Sequence, residues 1–187
     1  MHEVKQLNFM DKSLSFETER LSLRVLDIRD KEQFFQYRSL PEICRFQSWK
    51  PSGTEEIDAF IERNLLVIPN TPNTWLQLAV CLKDGRLIGD IGIHFLDDGF
   101  QAELGYTIAP DFQGRGYAEE AVRAATHFLF SSLMKHRITA SVDPDNLKSI
   151  KLLEKIGFRK EAHFVKSYRM NDEWCDDCIY ALLAEEV

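Results

Sequence analysis

The chain has 187 residues, of which 44% are hydrophobic and 28% charged, and carries a formal net charge of −7 at pH 7. This suits one folded domain with a sizeable core and excludes a disordered chain. The acidic balance argues against a nucleic-acid or anionic-membrane binder, which would present a basic face, and it suits a cationic partner such as an amine.

Residues 1–15 are mostly polar without a clear period and read as a lead-in arm, leaving 16–187 as a single domain. Arg20 to Leu26 alternates, with Leu21, Leu23 and Val25 on one face, and predicts a strand. Asp27 follows as an N-cap for a helix through about Arg38, which Pro41 breaks. Ser52 and Glu55 have capping-box spacing before a second helix striped by Ile57, Phe60, Ile61 and Leu65. A three-strand meander is expected next: Trp75–Leu82, Leu87–Leu96 and Gln101–Ile108, with Asp-Gly in both turns. Pro110 stops the third of these strands, since it has no N–H for the ladder.

The stretch from Glu103 to about Met134 organises the rest. After the strand come a tight turn, Gln113-Gly114-Arg115-Gly116, and a helix with Ala118, Ala121, Val122, Ala125 and Leu129 on one stripe. A strand, a glycine turn and a helix N-terminus together hold an anion: the first-turn N–H groups lack intrahelical partners and the helix dipole is positive there. Gly114 and Gly116 allow close approach and Arg115 adds a cation, so a phosphate or pyrophosphate is expected. Tyr117-Ala118 replaces the Lys-Ser/Thr of a P-loop, and Glu119 stands where a dinucleotide fingerprint needs its third glycine.

Downstream, a strand is expected over Arg137–Val142. Asp143-Pro-Asp-Asn146 opens a short helix that Gly157 closes, and two final strands run near Arg159–Tyr168 and Trp174–Leu183. Cys175 and Cys178 have metal or redox spacing, but they fall inside a strand with no second Cys/His pair nearby, and no metal site is expected. No apolar run is long enough to span a membrane and no signal-peptide core opens the chain; the expected location is the cytoplasm.

Gln113-x-x-Gly116-x-Ala118 resembles the Gln/Arg-x-x-Gly-x-Gly/Ala signature of GCN5-related N-acetyltransferases, and the element order β-α-α-β-β-β-α-β-α-β-β matches their fold. Asn146-Leu-Lys-Ser149, followed by Leu152 to Phe158, resembles a segment of the RimJ/RimL-like branch. The resemblance implies an α/β (α+β) fold with a central mixed, mostly antiparallel sheet flanked by helices, and acetyl-CoA as co-substrate. It also implies an amine acceptor, either a protein N-terminus such as that of a ribosomal protein or a small amine. Gln113, Gly114, Arg115, Gly116, Tyr117 and Ala118 would cradle the pyrophosphate. The backbone of Thr107, Ile108 and Ala109 would lie along the pantetheine, and a donor such as the Ile108 N–H would polarise the thioester carbonyl.

By the same resemblance, Asn146 would bind the pantetheine amide and Ser149 would sit near the sulfur as proton donor. Leu153 stands where other branches carry a tyrosine, which leaves Ser149 as the polar candidate on that face, while Tyr106 is assigned to packing. Deprotonating an ammonium calls for a base or a water chain. Glu103 is the first candidate, and Asp90 and His94, on one face of the preceding strand, are next as acceptor-binding groups. Phe46, Trp49, Trp75 and Phe95 would either wall an acceptor pocket or pack the core, and Trp49 is taken as substrate-binding. A non-catalytic acyl-CoA binding module is the rival function, and exposed strand edges leave room for a homodimer.

Overall fold

A computed structural model describes residues 14–47, 49–170 and 172–187. Most of the predicted lead-in arm therefore lies outside the described residues. Its end does not: Leu14 is buried, and Ser15–Glu17 forms a strand, β1, paired with β2 (Leu21–Val25). Asp27 caps a single 3-10 turn, with Asp30 reaching back to the Asp27 N–H, before α1 (Lys31–Arg38). Pro41 ends nothing that continues; it sits in the first turn of a short helix, α2 (Pro41–Cys44), where its missing N–H has no consequence. In α3 (Thr54–Leu65) the expected cap slips by one residue: Gly53 is the N-cap, and Glu56, not Glu55, bonds Ser52.

The remaining elements are β3 (Thr74–Leu82), β4 (Leu87–Phe95), β5 (Gln101–Ile108), α4 (Tyr117–His127), β6 (Arg137–Val142), α5 (Leu147–Ile156), β7 (Arg159–Met170) and β8 (Glu173–Leu183). They form one eight-stranded sheet in the order β1-β2-β3-β4-β5-β6-β8-β7. Every neighbouring pair is antiparallel except β5 with β6. Alternation sends Leu76, Leu78, Ile91, Ile93 and Leu104 to one face, where Ala121, Val122 and Ala125 of α4 and Leu153 of α5 complete a core. The other face packs Ala79 and Cys81 against Phe34, Tyr37, Ile57 and Ile61 of α1 and α3.

One irregularity in the sheet positions the site. The parallel ladder between β5 and β6 joins only Gln101, Ala102 and Glu103 to Arg137, Ile138 and Thr139. Beyond it β5 keeps its partner β4 as far as Ile108, and β6 keeps β8 as far as Val142, so the sheet opens into a notch. Cys175 and Cys178 are free thiols on β8, the second of them buried, and the described residues contain no cluster of metal-ligating side chains.

Candidate active site

A cleft of about 1060 Å³ runs into this notch, bounded by Phe46 and Gln47, the end of β5, the Gln113–Gly116 turn and the start of α5. Its edge on β5 has a definite phase. Ala109 N–H donates to Ile88 O, and Gln101 O accepts from Leu96, so odd-numbered residues of β5 spend their backbone groups on β4. Even-numbered residues, Tyr106 and Ile108 among them, turn theirs toward the notch. Of the three backbone positions expected to face the pantetheine, Ile108 does so, whereas Thr107 and Ala109 face β4.

The turn at one end of the cleft is built for its shape. Gly114 and Gly116 hold φ of +74° and +81°, and Gly116 is the N-cap of α4, so the first-turn N–H groups lie bare beside residues without Cβ. The Gln113 side chain points back to pin the turn to the strand, its Nε2 donating to Ile108 O at 2.9 Å. A residue missed in the sequence braces the turn from outside: Arg20 donates to Arg115 O (2.9 Å), pairs with Glu120 (2.6 Å) and lies over the Tyr117 ring. Tyr117 is thus a platform for Arg20, and the Arg115 guanidinium lies over Phe112. Nothing local in the sequence announces a contact across 95 residues.

On the α5 side, Asn146 is the N-cap, its Oδ1 accepting from Ser149 N–H (3.2 Å), which leaves its amide NH₂ for the cleft. Ser149 Oγ lies 2.6 Å from Tyr106 Oη. Tyr106 packs against the core, as expected, and its hydroxyl adds this contact. Burial pushes the phenol up to about 12, against the pull of its bond to Ser149, so the proton stays on at neutral pH. Leu153 is buried in the core. The phenol that helix α5 lacks is supplied from β5.

The opposite face of β5 carries a second group. Glu103 Oε2 stands 3.9 Å from His94 Nδ1, and His94 stacks on Trp75 at 4.7 Å between ring centroids. Burial raises the Glu103 carboxyl above its ordinary value; His94 opposes this and Asp177 adds to it. Two expected acceptor contacts do not belong here. Asp90 is fully buried and taken up by Tyr37 Oη (2.6 Å), Arg38 and Gln77. Trp49, partly buried, stacks on Phe60 (4.8 Å) and donates to Glu56 (2.6 Å), packed against the α1–α3 core. Phe95 is likewise core, whereas Phe46 does border the cleft. Arg38 also holds Gln47 Oε1 (2.8 Å), whose Nε2 donates to Thr107 Oγ1 (3.2 Å), so the Asp90 network fixes the cleft wall without lining it.

A family model described as an acetyltransferase (GNAT) domain matches residues 20–159. YnaD, an uncharacterised N-acetyltransferase of Bacillus subtilis, is 30% identical over 170 residues, covering 90% of this chain and 96% of its own. The Escherichia coli [ribosomal protein uS5]-alanine N-acetyltransferase is 39% identical over 80 residues, 42% of this chain and 41% of its own. The crystal structure of a GNAT-family acetyltransferase from Bacillus anthracis superposes with a TM-score of 0.84 at 29% identity, covering 92% of this chain and all (100%) of that one. The chain belongs to the GNAT acetyltransferase family and is an N-acetyltransferase.

Proposed function

We propose that residues 16–187 act as one domain that transfers acetyl from acetyl-CoA to a primary amine by direct attack within a ternary complex. The observation that carries this is the notch: a glycine turn at its end, an unpaired strand edge along it, and hydroxyl and carboxyl groups on its two sides. The chain fits the coenzyme. Open space surrounds the Cβ position of Gly114, the first-turn amides of α4 are bare, and the β5 edge offers the Ile108 N–H. The coenzyme, when bound, supplies the acetyl group as a thioester.

Amides of Gly114 to Ala118 hold the pyrophosphate, and the Asn146 amide orients the pantetheine. Ile108 N–H donates to the carbonyl oxygen where negative charge develops. Glu103, directly or through a water, takes a proton from the incoming ammonium. The freed nitrogen lone pair forms the N–C bond as the C–S bond breaks. Ser149 Oγ–H then gives its proton to the departing sulfur and is resupplied by Tyr106 Oη–H, whose phenol regains a proton from solvent once the products have left. Glu103 passes that first proton to solvent and, ionised again, takes the second proton from the attacking nitrogen.

The acceptor class we favour is that of the RimJ/RimL-like branch, a protein N-terminus or a small amine, in the cytoplasm. The E. coli relative's named activity on a protein alanine and the carboxyl of Glu103 on the approach side support it. Two measurements test the proposal. Acetyl-CoA should raise the melting midpoint of the wild type and not that of Gly116→Trp, since a ligand bound only to the native state must stabilise it. Thiol release from acetyl-CoA should depend on added amine. Saturable coenzyme binding without amine-dependent thiol would make the protein an acyl-CoA binding module.

A further inference from the structure

Three glycines on β4 and β5 differ in why they lack a side chain. A Cβ on Gly89 would stand 2.3 Å from Thr107 O, so the strand packing itself demands glycine there. One on Gly92 would meet Gln77 Oε1 at 3.1 Å and Trp75 at 3.4 Å. One on Gly105 would meet nothing within 4 Å. Gly105 has no left-handed φ, and the β4–β5 register runs through it without a bulge, pairing it with Gly92. It is exposed, in the interior of an eight-residue strand where valine or threonine would serve the sheet better. Nothing in the fold asks for glycine at this position. A strand glycine without a structural cause marks a place where another molecule comes close.

The surroundings say which molecule. Along its own face Gly105 lies between Glu103 and Thr107. Its next neighbour, Tyr106, turns to the other face and meets Ser149. The ladder to β6 has already ended at Glu103, so the edge beside Gly105 is open. A group arriving over Glu103 and His94 reaches the notch, at the level of the hydroxyl pair, by crossing this residue. We infer that Gly105 is a specificity-determining position whose missing side chain admits the substituted carbon that bears the acceptor amine, so that the preferred substrates carry their amine on a branched carbon, as a peptide N-terminus does. This rests on the proposed entry of the acceptor across Glu103.

The test is a graded series, Gly105→Ala and Gly105→Val, assayed against an amino-acid amide (amine on a branched carbon) and an unbranched alkylamine. The melting midpoint should hold or rise, and the KM for acetyl-CoA should be unchanged. For the branched amine kcat/KM should fall on the order of 10-fold with alanine and 100-fold with valine, the range a pocket imposes per carbon, and by less for the unbranched one. Parental activity of folded Gly105→Val on both amines overturns the inference and leaves the proposed function intact. An equal loss on both amines also overturns it, since the position would then not read branching. If valine prevents folding, the alanine variant decides by the same two comparisons. A wild type that releases no thiol with either amine overturns the inference together with the function it rests on.

Discussion

Asp90 and Glu103 stand on adjacent strands and project from the same face of the sheet, close to the same notch, and their surroundings make them opposite kinds of carboxyl. Asp90 accepts from a phenol, a guanidinium and an amide and is closed to solvent. Glu103 has one imidazole at 3.9 Å and is held by burial above its ordinary pKa. A carboxylate whose lone pairs are all taken is a joint. One whose charged form is poorly compensated, where the β5–β6 ladder ends, is on the proposed reading the base. The carboxyl group and the face are shared, and the difference lies in what the neighbouring elements bring.

The largest effect expected from breaking this contrast is in Asp90→Ala, which leaves Arg38 buried without its counter-charge. Removing one partner of such a pair costs about 3–5 kcal/mol, to be read from denaturant unfolding, and replacing Arg38 by Met in the same chain should recover part of it. Next is Glu103→Gln, with about a 100-fold fall in kcat/KM for the amine, the range of a lost general base. Its pH dependence carries a sign. The base works ionised, so wild-type kcat/KM should climb as pH passes through the raised carboxyl pKa, and the variant should lack that limb.

Stability should move the other way. A raised carboxyl pKa contributes stability that is complete below the ordinary value and lost as pH rises through the folded one. Glu103→Gln should therefore be at least as stable as the parent at neutral pH, with the two converging near about pH 4. An unfolding penalty at neutral pH comparable to that of Asp90→Ala would erase the distinction between the two carboxyls.

A smaller effect is expected on the far side of β5. Tyr106→Phe and Ser149→Ala should each lower kcat about 10-fold, and the double variant should fall well short of the product, as groups in one relay do. Independent effects would mean that the two hydroxyls do not form one relay, and an unchanged kcat in Tyr106→Phe would mean that the phenol only packs. Smallest of all, Trp49→Phe should cost about 1 kcal/mol for its lost bond to Glu56, with no change in acceptor KM.

What could be read in the sequence was whatever is encoded locally. Gln101–Ile108 and Arg137–Val142 match their expected ends because an Asp-Gly turn, Pro110 and Asp143-Pro144 punctuate them. Gly116 and Gly157 mark a helix start and a helix end by backbone conformation alone. The alternation of β4 put Asp90 on the correct face, yet its fate was decided by Tyr37, Arg38 and Gln77, on other elements. Tyr106 packs against the core as expected, but its hydroxyl partner was not legible for the same reason: period two gives the direction of a side chain, not the helix residue 43 positions away that it meets. The cap of α3 slipped because Ser52 and Glu55 have the right spacing but Gly53 takes the extended N-cap conformation.

The notch between β5 and β6 has one more consequence, which concerns time. Past Glu103 the amides of Tyr106 and Ile108 have no strand beside them. On the proposed reading, each catalytic cycle lays a pantetheine arm along that edge and then takes it away. The sheet is thus mended and reopened once per turnover, and the molecule that mends it is also the one consumed. Deuterium uptake at Tyr106 and Ile108 should run fast between cycles and slow while coenzyme stays on, which turns two backbone amides into a clock for product release.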